Sequence, residues 1–384
     1  MKFSALALFL SVPLASAATT LQVPAGFPTV QAAVDAAQDG DEILVAKGAY
    51  DPFVVDGKTG VAIKGKGKPV VDAFGTDLAA VLIQSSDRIT LEGFVLRSPN
   101  ASAVRVIQST AIAIRKCTID APGFDGIRSY ASSGLLIEKC TIEGTVEDGI
   151  DFGDEDPDPP TTDSIIRKNR FIDIGDDAID LSGENHVVEK NRVDGTGDNG
   201  ILIEGDSTGN RVEKNKIADT ESQSIYVQGS GNTVERNKIK GAGDHGIDVE
   251  GDDNFFTANK ITNAHSDGFR ARGARNHYEK NKVKGAKDGF DIEAIDSDFL
   301  RNKISGCSEN GIEIGSSTNQ TTGNLLEGNK VSKSAENGLH VHDTSDNTFR
   351  SNKAKKSGGF DLLDETVAGT NVYEGNKFGS ESGP

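Results

Sequence analysis

An asparagine recurs about every 22 residues through most of this chain, usually followed by a basic residue and then isoleucine or valine. The asparagines in this slot are Asn169, Asn191, Asn215, Asn237, Asn259, Asn281, Asn302, Asn329, Asn352 and Asn376, and the same slot upstream holds Cys117 and Cys140. A period of this size, held over so much of a chain, predicts a solenoid of stacked coils rather than a compact globule.

One regular repeat, residues 200–223, indicates what each coil contains. Ile201 and Ile203 alternate with outward residues as in a strand, a polar turn follows, and Val212 and Ile217 lie in two further short strands. Asn215 separates the last two strands. Because asparagine tolerates a left-handed backbone, we expect Asn215 to make this bend, with its side chain hydrogen-bonded along a ladder of stacked equivalents. The repeat therefore predicts an all-β fold with three parallel sheets.

The N-terminus has the pattern of a secretory signal over residues 1–17. Lys2 precedes an apolar run, and the small residues Ala15-Ser16-Ala17 end it. The run is too short to span a bilayer, and no later segment approaches that length. We therefore expect a secreted or periplasmic protein without a membrane span, in which residues 18–384 form one solenoid that acts as a monomer.

The acidic composition limits the possible partners. The formal net charge is -18 at pH 7, and it becomes -19 once Lys2 is removed with the signal. Such a chain repels phosphate backbones, so we expect no nucleic-acid partner. The same charge opposes a polyanionic substrate unless cations intervene.

Two smaller features follow from the repeat. Thr29 can cap a short helix whose Val30, Ala33, Val34 and Ala37 share one face, and this helix would cover the open end of the first coil.

Cys117 and Cys140 lie one coil apart in equivalent slots. We expect a buried thiol ladder there; a disulfide is the alternative, although stacked parallel side chains have poor bridge geometry. Cys307 has no matching slot.

Several segments resemble the right-handed parallel β-helix proteins of the pectate-lyase-like superfamily. The stretch Gln31 to Ala37, then Gly40-Asp41, Ile43-Leu44-Val45 and Gly48-Ala49-Tyr50, looks like that superfamily's N-terminal segment, and the Gly-Ile-x-Val and Asn-x-Ile units look like its internal repeat. The resemblance covers roughly residues 20 to 378. It implies a single-stranded right-handed parallel β-helix, a fold that serves lyases, hydrolases, esterases, epimerases, adhesins and non-enzymatic proteins.

The outward face of the first strand in each coil differs from the other surfaces. Its residues interleave acidic, basic, aromatic and imidazole groups, in the order Arg128 and Tyr130, Asp151 and Gly153, Asp180 and Ser182, Leu202 and Glu204, Tyr226 and Gln228, Asp248 and Glu250, Arg270 and Arg272, Asp291 and Glu293, Glu313 and Gly315, His340 and His342. Two insertions, residues 153–164 and 315–324, leave the same end of this strand. A strip walled by loops is typical of a polymer-binding cleft.

In the lyases that the chain resembles, this sheet holds the sugar chain. Removing the C5 proton of a uronate requires a base and a cation that neutralises its carboxylate. Arg270 and Arg272 are the predicted carboxylate-binding residues, with Tyr226 and His245 as proton-transfer candidates. The four surrounding carboxylates could hold Ca²⁺, as could the acidic loop; these residues are Asp248, Glu250, Asp291, Glu293, Asp154 and Asp156. The predicted substrate contacts are Asp180, Glu204, Gln228 and Glu313.

Simpler interpretations stand beside these. The arginine pair between two acidic coils can form a cross-strand ion ladder, and the loop from Asp154 to Asp163 can be an ordinary solvated acidic loop. His340 and His342 could ligate a metal, but a surface pair without a third ligand is the simpler interpretation. Elements similar to those of polygalacturonases and pectin methylesterases occur, at Asp176-Asp177 with Asp244-His245-Gly246 and at Gly144-Thr145-Val146, but they are too far apart or incomplete.

Taken together, these patterns predict a protein that binds or processes an extracellular, acidic polysaccharide. If it is an enzyme, a Ca²⁺-assisted uronate lyase or C5-epimerase is favoured. The alternative is a non-enzymatic surface, adhesive or periplasmic accessory protein, because the repeats are very uniform from Asn191 to Asn302 and no catalytic motif is complete.

Overall fold

The computed structural model of this protein describes residues 18–153, 159–315, 321–366 and 370–383. Three long parallel sheets run side by side along a solenoid axis, and each coil contributes one strand to each sheet. We call them sheet A, sheet B and sheet C, with 16, 14 and 15 strands. Strands pair with the strands one coil away, as Ile201–Ile203 does with Ile225–Val227. The predicted parallel β-helix is confirmed, and the predicted signal sequence lies outside the described residues.

Nearly all strands are two to five residues long. Sheet A contains Thr20–Val23, Glu42–Val45, Ala62–Gly65, Thr90–Glu92, Ala113–Arg115, Leu136–Glu138, Ile165–Arg167, Val187–Glu189, Arg211–Glu213, Thr233–Glu235, Phe255–Thr257, His277–Glu279, Asp298–Leu300, Leu325–Glu327, Thr348–Arg350 and Val372–Glu374. Sheet B contains Ala49–Tyr50, Val70–Asp72, Val95–Arg97, Thr118–Asp120, Thr141–Glu143, Arg170–Ile174, Arg192–Thr196, Lys216–Thr220, Lys238–Ala242, Lys260–Thr262, Lys282–Lys284, Lys303–Ser305, Lys330–Ser332 and Lys353–Lys355. Sheet C contains Phe53–Asp56, Val81–Gln84, Val104–Ile107, Ile127–Tyr130, Ile150–Asp151, Ile179–Leu181, Ile201–Ile203, Ile225–Val227, Ile247–Val249, Phe269–Ala271, Phe290–Ile292, Ile312–Ile314, Leu339–Val341, Leu362–Asp364 and Glu381–Ser382. A small separate sheet pairs Thr321–Thr322 with Thr344–Ser345.

The helix Val30–Ala36 covers the N-terminal end of the solenoid, as the sequence predicts. Its cap is Thr29, whose hydroxyl accepts a hydrogen bond from the Ala32 backbone nitrogen at 3.1 Å. Val30, Ala33 and Val34 are buried against the first strands. The helix thus shields an apolar coil end that would otherwise face water.

Substitution of the cap residue should have a modest effect. Thr29→Ala removes the only side-chain acceptor that the structure gives Ala32, and we expect a loss of about 1 kcal/mol in unfolding free energy. Thr29→Ser keeps the oxygen and should stay within about 0.5 kcal/mol of the parent. Chemical denaturation of both variants measures the difference, and equal losses would contradict the capping role.

The recurring asparagines form the predicted ladder at the turn between sheets A and B. The Asn215 backbone nitrogen donates to Oδ1 of Asn237 at 2.9 Å, and Asn237 repeats this contact with Asn259 at 3.0 Å. Each side-chain amide also donates inward, for example Asn237 Nδ2 to the Val212 carbonyl at 2.9 Å. The side chains are buried, so the ladder satisfies backbone groups that water cannot reach.

One expectation about this turn is wrong. The residue with the left-handed backbone is Lys214, with a φ of 57°, and not Asn215. The same holds one coil away, where Arg236 has a φ of 56°. The preceding residue makes the bend, which leaves the asparagine side chain pointing along the axis into its ladder.

Two further ladders occupy the other turns. Between sheets C and A, backbone nitrogens donate to the side chain of the next coil through His186, Asn210, Asn232, Asn254, Asn276, Ser297, Asn324, Asn347 and Asn371. Between sheets B and C the direction is reversed, because backbone nitrogens donate to a side chain of the preceding coil, with Asp148, Asp177, Asp267 and Asp288 among the acceptors. Side chains as well as strands therefore hold most turns of the regular coils; an exception is the turn at Asn199, whose Oδ1 is buried without a hydrogen-bond partner.

The interior is apolar and stacked. Phe256, Tyr278 and Phe299 lie one above another, with ring centroids 4.9 and 4.6 Å apart. Cys117 and Cys140 are buried free thiols in the slot that the repeat predicts, and Cys307 is also buried and free. The stacked rings, and the thiols of Cys117 and Cys140, therefore repeat from one coil to the next, as the strands do.

The outer face of sheet B is basic although the protein is acidic. On the seven strands from Lys216–Thr220 to Lys353–Lys355, the outward residues within the sheet are lysines or small residues, and the only carboxylate on these strands is Asp219 at the edge. The exposed lysines are Lys216, Lys238, Lys240, Lys260, Lys282, Lys284, Lys303, Lys330, Lys353 and Lys355. They continue in register from coil to coil, with strands about 4.8 Å apart.

Within the residues that the structure describes, no helix has the length and hydrophobicity needed to cross a bilayer.

Candidate functional site

The outer face of sheet C carries the mixed column that the sequence predicts. Strand pairing places one outward residue of each coil against the next, in the order Arg128, Asp151, Asp180, Leu202, Tyr226, Asp248, Arg270, Asp291, Glu313 and His340. The outward direction follows from the strand alternation, since Ile201 and Ile203 are buried on either side of half-buried Leu202. The register is therefore confirmed over ten coils.

A depression of about 510 Å³ lies at one edge of this face. Pro159 and Pro160, at the end of the first insertion, form one side of it, and the predicted substrate contacts Glu204 and Gln228 form part of the other. The insertion is fixed to the neighbouring coil, because the Ala131 nitrogen donates to the Pro159 carbonyl at 2.6 Å. The described part of the insertion thus walls the strip, as expected for a cleft.

Carboxylates crowd together beside this depression. Burial raises the pKa of Asp180 to about 9, and the charges of Glu204, Asp148 and Asp151 act in the same direction. Burial also raises the pKa of Asp151 to about 6, with a further contribution from Asp125 and an opposing one from Arg128. Arg128 Nε lies 3.3 Å from Asp151 Oδ2. Asp180 and Asp151 can therefore hold protons at neutral or mildly acidic pH.

Two more carboxylates with raised pKa values belong to the turn ladder between sheets B and C. Burial raises the pKa of Asp148 to about 8 and that of Asp177 to about 7. Each still accepts a backbone hydrogen bond from the next coil, at 2.8 Å for Asp148 and 2.6 Å for Asp177. The sequence reasoning assigned no role to these residues. The signal was present in the recurring Asp or Asn before each Gly-Ile pair.

Arg272 is held in an ion-paired group. Its Nη2 donates to both carboxylate oxygens of Asp248, at 2.8 and 2.9 Å, and its Nη1 lies 2.8 Å from Glu250. Tyr226 lies next to this group, because burial raises its pKa and the charges of Glu250 and Asp248 act in the same direction. Four of the predicted site residues therefore lie together, but the guanidinium of Arg272 is already occupied by protein carboxylates.

Arg270 differs from Arg272, although the two are separated by one residue. Among the described residues Arg270 makes no ion pair within 4 Å, whereas Arg272 makes two; the buried Nε of each arginine lacks a hydrogen-bond partner. Its register neighbours are Asp248, which is engaged by Arg272, and Asp291. Burial raises the pKa of Asp291 to about 7, with smaller contributions from Asp267, Glu293 and Glu313 and an opposing one from the charge of Arg270. Arg270 is thus a cation on the sheet C face that is available to an anionic ligand.

His245 lies in the turn ladder rather than among the outward residues. Its Nδ1 is 3.3 Å from both the backbone nitrogen and the carboxylate Oδ2 of Asp267. Burial, the largest single influence, lowers its pKa, but the bond to Asp267 and the charge of Asp244 outweigh it, so the pKa is raised overall. The imidazole is 8% exposed. Its predicted part in proton transfer stays a prediction.

The structure describes four of the six carboxylates that were predicted to hold Ca²⁺. Asp248 and Glu250 are bonded to Arg272, so they do not form a free donor set together with Asp291 and Glu293. Asp154 and Asp156 lie outside the described residues. Elsewhere in the described chain, three groups bring ligand atoms within 4.8 Å of one another: Asp125, Asp148 and Asp151; Asp176, Asp177 and Asp198; and Glu313, His340 and His342. The Ca²⁺ site stays a prediction.

The last of these groups corrects the interpretation of the histidine pair. Sequence reasoning found no third ligand for His340 and His342, but Glu313 on the neighbouring strand supplies one, with Oε1 at 3.1 Å from His342 Nε2. Glu313 was predicted to contact substrate with Asp180, Glu204 and Gln228. The structure brings those three together and places Glu313 several coils away.

The sheet C face therefore combines a free arginine, carboxyl groups that titrate near neutrality and a walled depression. A carboxyl whose pKa lies near the working pH can accept or donate a proton during a reaction, whereas the arginine can bind a carboxylate or sulfate. Structural ion pairs also perturb pKa values, so these features define candidates rather than a completed catalytic set.

Comparisons with known proteins support the fold. A family model described as "Right handed beta helix region" matches residues 75–217, 199–354 and 245–382. The A-module of mannuronan C-5 epimerase AlgE6 from Azotobacter vinelandii is 14% identical, with 92% of this chain and 94% of that chain covered and a TM-score of 0.51. The catalytic unit of an alpha-1,3-glucanase from Streptomyces thermodiastaticus is 14% identical, with 94% and 69% covered and a TM-score of 0.52.

A third neighbour is an exopolygalacturonase from Thermotoga maritima, 10% identical, with 83% of each chain covered and a TM-score of 0.50. No curated protein matches this chain. At these identities the likeness shows a shared fold, and the predicted resemblance to pectate-lyase-like proteins is confirmed at that level.

Proposed function

We propose, from the premise that this chain belongs to the right handed beta helix family, that the outer face of sheet C binds and processes an acidic extracellular polysaccharide. The structural neighbours are named as an epimerase, a glucanase and a polygalacturonase, all of which act on polysaccharides. A uronate polymer is the substrate class whose carboxylate Arg270 would bind, and the protein would meet it outside the cytoplasm.

The observation that carries this proposal is the contrast between Arg270 and Arg272. A buried or half-buried guanidinium normally pairs with an acidic group, and Arg272 does so with two carboxylates. Arg270 has no such partner among the described residues, although it lies on the same strand. A ligand carboxylate bound to Arg270 would supply the missing partner, and Arg272 would hold the surrounding acidic residues in place.

The neighbouring groups suit chemistry at the carbon next to a uronate carboxylate. Arg270 would neutralise that carboxylate, and this lowers the cost of removing the C5 proton. Tyr226 and His245 remain the predicted proton-transfer residues. Asp291 is a third candidate because its pKa is about 7 and its strand pairs directly with that of Arg270. Return of the proton to the other face gives an epimer, whereas departure of the glycosidic oxygen gives a cleaved chain.

Ca²⁺ remains part of the proposal as a bound cation rather than as a participant in a defined step. The group Asp125, Asp148 and Asp151 offers oxygen atoms within 4.8 Å of one another, the ligand type that Ca²⁺ prefers. A cation there would relieve the repulsion that adds to burial in raising the pKa of Asp148 and Asp151, and it would reduce the negative potential opposing a polyanion.

The first test compares matched substitutions of the two arginines. We expect Arg270→Gln to weaken binding of uronate oligosaccharides by at least about tenfold, because one charge-assisted contact is worth roughly 1.5–3 kcal/mol. The melting temperature should hardly change. Arg272→Gln should instead lower stability by roughly 2–3 kcal/mol, since it leaves buried Asp248 without its counter-charge. Calorimetric titration and thermal unfolding measure the two effects.

A neutral glucan serves as the ligand control for this test. If Arg270→Gln binds uronate oligosaccharides as tightly as the parent protein, Arg270 is not the carboxylate contact. If the parent binds the neutral glucan equally well, the substrate class is wrong.

Turnover separates an enzyme from a binding protein. Alginate, pectate and a glycosaminoglycan are each incubated with the protein, with Ca²⁺ and with a chelator. Ultraviolet absorbance reports unsaturated chain ends from a lyase, and proton NMR reports epimerisation. The non-enzymatic alternative is favoured by one observation, the pairing of Arg272 with two protein carboxylates. Binding without any turnover would support that alternative.

A further inference from the structure

The last two positions of the mixed column on sheet C, Glu313 and His340, belong to a cluster of different chemistry. His340 and His342 project from one side of the strand Leu339–Val341 and its end, and their ring centroids are 4.8 Å apart. Glu313 faces them from the neighbouring strand, where it pairs in register with His340. The side chains of Glu313, His340 and His342 are 27%, 20% and 22% exposed, so a small ion can reach them.

We propose that Glu313, His340 and His342 form a binding site for a divalent transition-metal ion of the zinc type. One atom from each side chain lies within 4.8 Å of the other two. Two imidazoles and one carboxylate are a ligand set used for such metals, whereas Ca²⁺ and Mg²⁺ prefer oxygen alone. This proposal stands on its own residues and does not depend on the identity of the polysaccharide.

The spacing suits tetrahedral coordination. His342 Nε2 and Glu313 Oε1 are 3.1 Å apart. Ligands placed roughly 2.0–2.1 Å from a tetrahedral metal are separated from each other by about 3.3 Å, so these two atoms already have nearly the right distance. A rotation of His340 toward them would complete the triad. Three protein ligands leave a fourth position for water or a ligand oxygen from the cleft.

Neighbouring groups hold the ligands in position, as outer partners do in known metal sites. Asn310 Nδ2 donates to Glu313 Oε2 at 2.9 Å, which leaves the other carboxylate oxygen for the metal. Asp343 Oδ2 lies 3.6 Å from His342 Nδ1, the nitrogen that would not ligate. Glu365 Oε2 is 2.9 Å from His340 Nε2 and could serve as a fourth ligand or as the acceptor that orients this ring.

Zinc titration tests the site. The protein is produced without a polyhistidine tag, freed of metal with a chelator and titrated with zinc chloride in a calorimeter, with Mg²⁺ present to occupy sites made only of oxygen. We expect one Zn²⁺ per chain with a dissociation constant on the order of 1 μM or below. The double variant H340A/H342A should weaken binding at least about 100-fold, and Glu313→Gln at least about tenfold.

His277→Ala is the matched control. His277 is 25% exposed and lies 3.7 Å from Glu279 and 3.5 Å from Asp298, but it is on sheet A and has no second imidazole beside it. Its replacement should leave zinc binding unchanged. Circular dichroism checks that every variant is folded, and Glu313→Gln provides the decisive variant if the double substitution unfolds the last coils.

A second readout uses cobalt in place of zinc. Co²⁺ bound by nitrogen and oxygen ligands absorbs visible light, and this absorption should be present in the parent and in His277→Ala and reduced in Glu313→Gln. Zinc binding weaker than about 100 μM in the parent would overturn the proposal. Equal binding by the parent and by the folded Glu313→Gln and H340A/H342A variants would also overturn it.

Discussion

Asn237→Ala is expected to lower the free energy of unfolding by about 3–5 kcal/mol. Asn237 is fully buried, and its Oδ1 accepts bonds from the backbone nitrogen and the amide of Asn215, at 2.9 and 3.1 Å. Its Nδ2 donates to the Val212 carbonyl at 2.9 Å and to Asn259 at 3.1 Å. Alanine leaves buried groups on both neighbouring coils without partners, which costs far more than the lost contact itself.

Two control variants show whether the loss of stability comes from the broken ladder or from any alanine substitution at this turn. Lys238→Ala changes the exposed next residue and should stay within about 0.5 kcal/mol of the parent. Asn376→Ala removes the last rung, which is partly exposed and serves only Asn352 and Phe349, so we expect about 1–2 kcal/mol. Denaturant unfolding measures the free energy of unfolding of each variant. Hydrogen exchange shows whether protection is lost at the coils next to Asn237. Equal effects of Asn237→Ala and Asn376→Ala would contradict a cooperative ladder.

The second large effect concerns pH. Burial raises the pKa of six carboxyl groups, to about 9 for Asp180, about 8 for Asp148 and Asp288, about 7 for Asp177 and Asp291, and about 6 for Asp151. These groups bind protons more tightly in the folded chain than in the unfolded chain. Their contribution to stability is therefore complete below the ordinary carboxyl pKa and is lost as the pH rises through the folded values.

Other carboxylates set the acidic limit. Burial alone would raise the pKa of Glu213, but hydrogen bonds from Arg211 and Lys214 outweigh it and hold the pKa at about 2. Hydrogen bonds from Lys280 and Arg301 likewise lower the pKa of Glu279 to about 2. This stability is present above the ordinary carboxyl pKa and is lost as the pH falls toward the folded values. Maximum stability should therefore lie at mildly acidic pH.

We expect the melting temperature to fall by about 5 °C or more between about pH 5 and about pH 9, since each unit of pKa shift corresponds to about 1.4 kcal/mol. Asp180→Asn removes the ionisable group with the highest of these pKa values, and it should raise the melting temperature at the alkaline end. Asp206→Asn, on an exposed turn, should change nothing. A melting temperature that rises steadily to pH 9 would contradict the raised pKa values of these buried carboxyl groups. Recovery on adding Ca²⁺ would show that they bind a cation.

The fold was predictable because one side chain per coil performs the same task at each turn. The Asn215 column and the alternation around Ile201 give both the period and the outward register. The left-handed residue was placed at Asn215 because asparagine tolerates that backbone best, but the ladder requires its side chain and Lys214 makes the bend instead. Asparagine suits both the left-handed bend and the side-chain ladder, so its backbone preference alone does not show which of these two roles Asn215 has.

The site was harder to predict because it depends on side-chain pairing across coils. Arg270 and Arg272 are equivalent in the sequence pattern, and only the geometry shows that Asp248 and Glu250 both bond to Arg272. In the same way Glu313 and His342 are 29 residues apart, separated by an insertion, and the structure reveals their contact. The period predicts which residues share a face but not which of them touch.

The lysines of sheet B and the acidic residues of sheet C lie on different sides of the same rod. Such a separation of charge gives the molecule a dipole perpendicular to its long axis. Near a negatively charged matrix, this dipole turns the lysine side toward the matrix and leaves the sheet C face pointing away from it. A rod oriented in this way is held along the seven coils that carry the lysines, and its attachment weakens steeply as salt screens the charges.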